Sequence, residues 1–81
     1  MELRFHPHAV ERMLERRISV AEVEQIVSDP DGKIAQSKDK MILYKKLGKR
    51  KDNLVAAVVV ERLPGDFLEV VTVLVNFEVR K

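Results

Sequence analysis

The stretch LVAAVVVERLPGDFLEVVTVLV, Leu54 to Val75, decides how this chain folds. Most of its apolar residues are β-branched, which suits a pleated surface better than a helix. The run is interrupted once, at Pro64-Gly65-Asp66, a sequence with turn chemistry, so LVAAVVVERL and FLEVVTVLV read as two strands of a hairpin. Upstream, KIAQ and MILYKKL have the same character, and SKDK and GKRKDN supply the connections. The segment from Lys33 to Val75 is therefore predicted to be an antiparallel meander of four strands.

Over Leu54–Val60 and Val70–Val75 apolar residues occupy both alternating registers, with Thr72 the main exception. A strand of that kind is apolar on both faces. Helices can cover only one face, so the other is expected to meet a second copy, a partner protein, or the tail NFEVRK folded back.

Before the strands the period changes. Pro7 suits the first position of a helix, where its missing N–H would have had no partner, and His6 falls at the cap. In steps of about 100° from His8, Met13, Val10 and Leu14 fall at about 140°, 200° and 240°, a stripe of helical period expected to be buried. Ser19 and Glu22 then form a capping-box pattern ahead of Val20, Val23, Ile26 and Val27, and Asp29-Pro30 ends that second helix near Ser28. Helices followed by a run of strands is the α+β pattern: two N-terminal helices on one face of a four-stranded antiparallel sheet.

At 81 residues the chain forms one domain with one core. It has no cysteine, which removes disulfides, thiolate nucleophiles and cysteine-based zinc sites, and fits the cytoplasm. MELRFHPH is not a basic segment followed by an apolar one, and the run Leu54–Val60 is far shorter than the ~20 residues of a spanning helix, so no signal or membrane anchor is expected. Net charge is only +2, yet between Lys40 and Lys51 six basic residues (Lys40, Lys45, Lys46, Lys49, Arg50, Lys51) stand without an acid.

Chemistry concentrates in two places. His8, Arg12 and Arg16 lie four residues apart and share one arc of the first helix, roughly opposite Val10 and Leu14. Guanidinium groups bind phosphate oxygens bidentately, and imidazole is the side chain able to give or take a proton near neutral pH. These are the parts for RNA cleavage without a metal, with Lys45, Lys46 or Tyr44 as further contributors. The plainer reading is that Glu11, Glu15 and Glu22 pair with Arg12 and Arg16, and that the histidines cap and pack the helix start. The second place is the basic run. Lys45, Lys46, Lys49, Arg50 and Lys51 form a phosphate footprint with Tyr44 for base stacking, or else a solvated hairpin whose lysines discourage edge pairing. Two histidines two apart with no third ligand make a poor metal site, and no Gly-rich phosphate loop or nucleophilic triad spacing occurs, so neither a metal nor a cofactor is implied.

The order FHPHAVERMLERRIS, EVEQIVSDPDGKI, YKKL and a Val-rich hairpin resembles the bacterial family known as domain of unknown function 4258 over nearly the whole chain. The specific part is H-A-x-x-R-M-x-x-R-x-I-S, met by His8, Ala9, Arg12, Met13, Arg16, Ile18 and Ser19. Family members commonly carry glycine where this chain has Arg17. The resemblance implies a fold similar to RelE-like toxins and metal-independent ribonucleases, with His8, Arg12 and Arg16 as the polar positions that carry over. It also implies an antitoxin as partner. The leading expectation is thus a RelE-like domain, either an RNA-binding protein or a metal-independent ribonuclease, with His8 in proton transfer and Arg12, Arg16 and Lys45 on phosphate. Its rival is a non-catalytic interaction module, homodimeric through the apolar sheet face.

Overall fold

The first strand, β1 (Glu2–Phe5), opens a computed structural model that describes residues 2–51, 53–62 and 65–79. It is followed by α1 (Pro7–Arg16), α2 (Val20–Ser28), β2 (Gly32–Ala35), β3 (Lys40–Lys45), β4 (Val55–Arg62) and β5 (Phe67–Leu74). The sheet order is β1-β5-β4-β3-β2. Strands β2 to β5 form the expected antiparallel meander, but the four-stranded antiparallel sheet needs correction: β1 adds a fifth strand, parallel to β5, with Glu2 opposite Phe67 and Phe5 opposite Val70. The sequence shows only a short extended piece at Leu3–Phe5 because a four-residue strand pairing with the far end of the chain has no turn to announce it.

Helix α1 begins as its sequence dictates. His6 has extended backbone and its Nδ1 accepts the His8 N–H at 3.0 Å, while Pro7 takes the first helical position. At the other end Arg17 adopts φ 56°, ψ 47°; its N–H donates to the Leu14 carbonyl and the Ile18 N–H to the Met13 carbonyl at 2.9 Å. This paired closure is completed by burial of Ile18. An arginine in the left-handed region costs roughly 1–2 kcal/mol that glycine would not. Arg17→Gly is therefore expected to stabilise the protein by about 0.5–1 kcal/mol after the greater freedom of glycine in the unfolded chain is counted, read as a higher urea midpoint.

The buried face of α1 also differs from the one the period suggests. Ala9 and Met13 are buried, whereas Val10 is 43% and Leu14 77% exposed. The helix lies over β5 at one side of the sheet, so a narrow strip suffices to dock it, and the second flank of its apolar stripe faces solvent. Helix α2 has both halves of its capping box, Glu22 N–H to Ser19 Oγ and Ser19 N–H to Glu22 Oε1. It packs on β4 and β3 through Val23 and Ile26, while Val20, expected on the same face, is exposed.

Both sheet faces are apolar, as the sequence implies. The helix side holds the main core, including Ile26, Leu43, Val55, Val59, Val70 and Val73. The opposite side holds Ile42, Ala56 and Val58, with Ile34, Tyr44, Val71 and Phe77 packed against them. A bulge serves both: Val58 faces Thr72 but Val59 faces Val70, leaving Val71 as the extra residue, so Val70 and Val73 both join the main core although they are three apart. Of the covers foreseen for the second face, the tail supplies one. Asn76 turns the chain with φ 52°, the Phe77 N–H donates to the Leu54 carbonyl at 2.9 Å, and the Phe77 ring lies 5.7 Å from that of Tyr44. Leu63, Pro64, Asp52 and the tail residues Arg80 and Lys81 lie outside the described residues, and with them parts of the PGD, GKRKDN and NFEVRK segments.

Candidate functional site

Because α1 docks on β5 through Ala9 and Met13, the arc of His8, Arg12 and Arg16 borders that contact rather than pointing away from it. The three side chains line a shallow groove of ≈ 380 Å³ whose other wall is Thr72 to Val75. One wall of the groove is thus cationic and the other is strand. Thr72 is the member that sequence reasoning passed over. It is the one polar residue of the run Val70–Val75, but its register opposite Val58 turns its side chain toward the second sheet face, so its polarity did not mark the groove.

The two arginines differ in their engagement. Arg12 Nη1 donates to Glu15 Oε2 at 2.9 Å across a single helical turn, with both side chains more than a third exposed. Such a pair contributes about 0.2–1 kcal/mol and is readily exchanged. Among the described residues no carboxylate pairs with Arg16. Glu22, an expected partner, lies instead 3.8 Å from Arg50 Nη1 and caps its own helix.

The basic run does not join this groove as a block. Lys45 is 13% exposed and turns back on the loop after α2: its Nζ donates to the Asp29 carbonyl at 2.8 Å and stands 3.5–3.6 Å from the carboxylates of Asp29 and Asp31. Arg50 donates through Nη1 to the Arg17 carbonyl at 2.8 Å and through Nη2 to the Arg16 carbonyl at 2.9 Å, tying the β3–β4 connection to the last turn of α1. A cation there also meets the negative end of the helix dipole. Tyr44 belongs to the opposite sheet face, stacked near Phe77, and its ring lies so close over Gly32 that a Cβ there would fall 2.0 Å from its hydroxyl. Lys49 lines a separate hollow with Leu47, Ala21 and Gln25, and Lys51 is exposed. The structure therefore brings together His8, Arg12 and Arg16, and gives Lys45, Arg50 and Tyr44 structural contacts elsewhere.

Asp31 shows how firmly the loop after α2 is held. The Lys46 backbone N–H donates to its Oδ2 at 2.8 Å and is the main reason its carboxyl lies below the usual carboxylate range; desolvation opposes this, and the charge and the hydrogen bond of Lys45 each add a smaller lowering effect. A carboxyl whose folded pKa is depressed contributes stability above its unfolded value and loses it as pH falls through the folded value. Asp31→Asn is thus expected to melt below the parent at neutral pH, with the gap closing as pH drops below the ordinary aspartate range; thermal melts of both proteins across that range are the check. A gap unchanged at acid pH would refute it.

Among the described residues no three His, Asp or Glu side chains gather as a metal site, and no helix is long and apolar enough to cross a membrane. Comparison with the curated proteins and with the solved structures gives no match. Residues 5–75 match the family model described as Domain of unknown function (DUF4258). That span runs from the end of β1 through the last residue of the groove, and so takes in His8, Arg12, Arg16 and Thr72. The chain belongs to the DUF4258 family.

Proposed function

We propose that the protein is a RelE-like, toxin-type RNA-binding domain and a metal-independent endoribonuclease, its groove between α1 and β5 taking the RNA backbone. The observation that supports this most is the shared groove itself: two guanidinium groups and an imidazole from successive turns of one helix, with Arg16 unpaired by any described carboxylate. A phosphate offers each guanidinium a charge-assisted bond worth about 1.5–3 kcal/mol, enough to displace the Arg12–Glu15 pair.

In the reaction His8 removes the ribose 2′-hydroxyl proton and the 2′-oxygen attacks phosphorus. The bond from phosphorus to the 5′-oxygen breaks on the opposite side, the departing oxygen takes a proton from water there, and the imidazolium then neutralises the hydroxide so formed, leaving a 2′,3′-cyclic phosphate and a 5′-hydroxyl. Arg12 and Arg16 stabilise the charge that gathers on the phosphate oxygens. Lys49 and Lys51, which flank the anchored Arg50, extend the electrostatic footprint beyond the last turn of α1.

The test is incubation of purified protein with single-stranded RNA in EDTA, alongside His8→Ala and Arg12→Ala, with the cyclic phosphate identified on the product. Absence of cleavage by the parent protein sinks the enzymatic part; binding that ignores salt sinks the footprint, because neutralising phosphates releases counterions. A non-catalytic interaction module is the second reading, favoured by the exposure of Val10 and Leu14 on one flank of α1. Its form as a homodimer through the sheet loses area to Phe77, which already packs on that face. Sedimentation velocity distinguishes the two readings: a dimer dispersed by Leu14→Glu supports the module.

A further inference from the structure

The groove has a second property that RNA binding does not use: one of its walls is an open strand edge. β1 pairs with β5 only as far as Phe5 opposite Val70, and the His6 N–H to Val70 carbonyl bond at 2.9 Å is its last contact before Pro7 turns the chain into α1. Beyond Val70 the strand runs on through the bulged Val71 to Thr72–Leu74, where β4 is the only strand among the described residues that pairs with β5. A half-edge of four residues spans about 13 Å and offers backbone donors and acceptors to an extended segment of the same length.

We infer that this half-edge is a docking site for an extended acidic segment of another protein, which adds as a sixth strand beside Val71–Leu74 and sets its carboxylates against Arg12 and Arg16. Charge selects the occupant. A second copy aligned edge to edge would bring its own His8, Arg12 and Arg16 against the same stripe, like charge on like, whereas an acidic strand meets complementary charge. The exposed Leu74 and half-buried Val75 give alternate apolar side chains of the segment a surface. Such a segment occupies the same groove as RNA and excludes it. Strand addition itself depends on the backbone edge and stands whether or not the groove cleaves RNA.

The experiment selects random dodecapeptides displayed on phage against the full-length protein. The best binder is then titrated as a synthetic peptide into isotope-labelled protein and followed by backbone amide shifts. Expected are sequences with acidic residues alternating with β-branched ones, and shifts concentrated at residues 71–75. Affinity should fall at least tenfold both when alternate peptide amides are N-methylated and in R12E/R16E protein, whose folding is verified by circular dichroism. Methylation removes strand hydrogen bonds while leaving charge intact, so equal binding by the methylated peptide overturns the proposal. Neutral or basic selected sequences, or shifts centred elsewhere, overturn it as well. An oligouridylate that shifts residues 71–75 where no peptide is selected assigns the groove to nucleic acid alone and also overturns it.

Discussion

Ile26→Ala is expected to remove about 3 kcal/mol of folding stability, within the 2–5 kcal/mol typical of truncating a buried isoleucine. Ile26 is fully buried and sits where α2 meets the sheet, in the main core with Leu43, Val55 and Val59. The loss combines the transfer free energy of the deleted atoms with the cavity left among β-branched neighbours that repack poorly. A domain of this size has roughly 4–12 kcal/mol in total, so the midpoint of thermal unfolding should drop by about 12–24 °C. Val20 in the same helix is the internal control: it is 51% exposed, and Val20→Ala should stay within about 0.5 kcal/mol. Urea unfolding with an unchanged slope is the measurement, and equal losses at the two positions would contradict the packing described.

Arg16→Ala carries the second large effect, on activity rather than stability. If Arg16 stabilises phosphate charge in cleavage, its removal should lower the single-turnover rate about 10²–10³-fold, the range for losing one donor to a developing oxyanion. The salt dependence of RNA binding should also weaken, its logarithmic slope falling by about 0.7 for one lost phosphate contact. Arg16→Lys should restore the slope but little of the rate, since an ammonium replaces the charge without the planar fork. Folding should be unaffected, because the contact Arg16 makes with Arg50 runs through its backbone carbonyl. Loss of rate in Arg16→Ala with full recovery in Arg16→Lys would mean that charge alone acts there.

The sequence revealed most clearly what local chemistry controls. His6-Pro7, the Ser19/Glu22 box, Asp29-Pro30 and the β-branched runs all act within a few residues, and each stands where its chemistry places it. Long-range pairing was less visible. Nothing in Glu2–Phe5 names Phe67–Val70 as its neighbour, and the bulge at Val71 was hidden among apolar residues equally suited to either face. For the site, helical geometry placed His8, Arg12 and Arg16 together, but the face turned to the sheet was decided by where β5 lies. Ala9 and Met13 were enough to dock the helix, leaving Val10 and Leu14 outside. Lys45 and Arg50 appeared in the sequence as members of one basic run; their contacts lie 15 or more positions away, at Asp29 and at the end of α1.

The parallel pairing of the first strand with the last also governs when the groove can exist. α1 is made early, yet the surface it docks on, and the wall opposite its cationic arc, come from residues 67–75. A ribosome-bound chain lacking that strand carries the arginine helix without a cleft. Closing such a sequence-distant contact is slow relative to forming either helix, so in refolding kinetics the helical signal should develop before the groove does. A ligand of this groove can therefore be held only once β5 has locked into place.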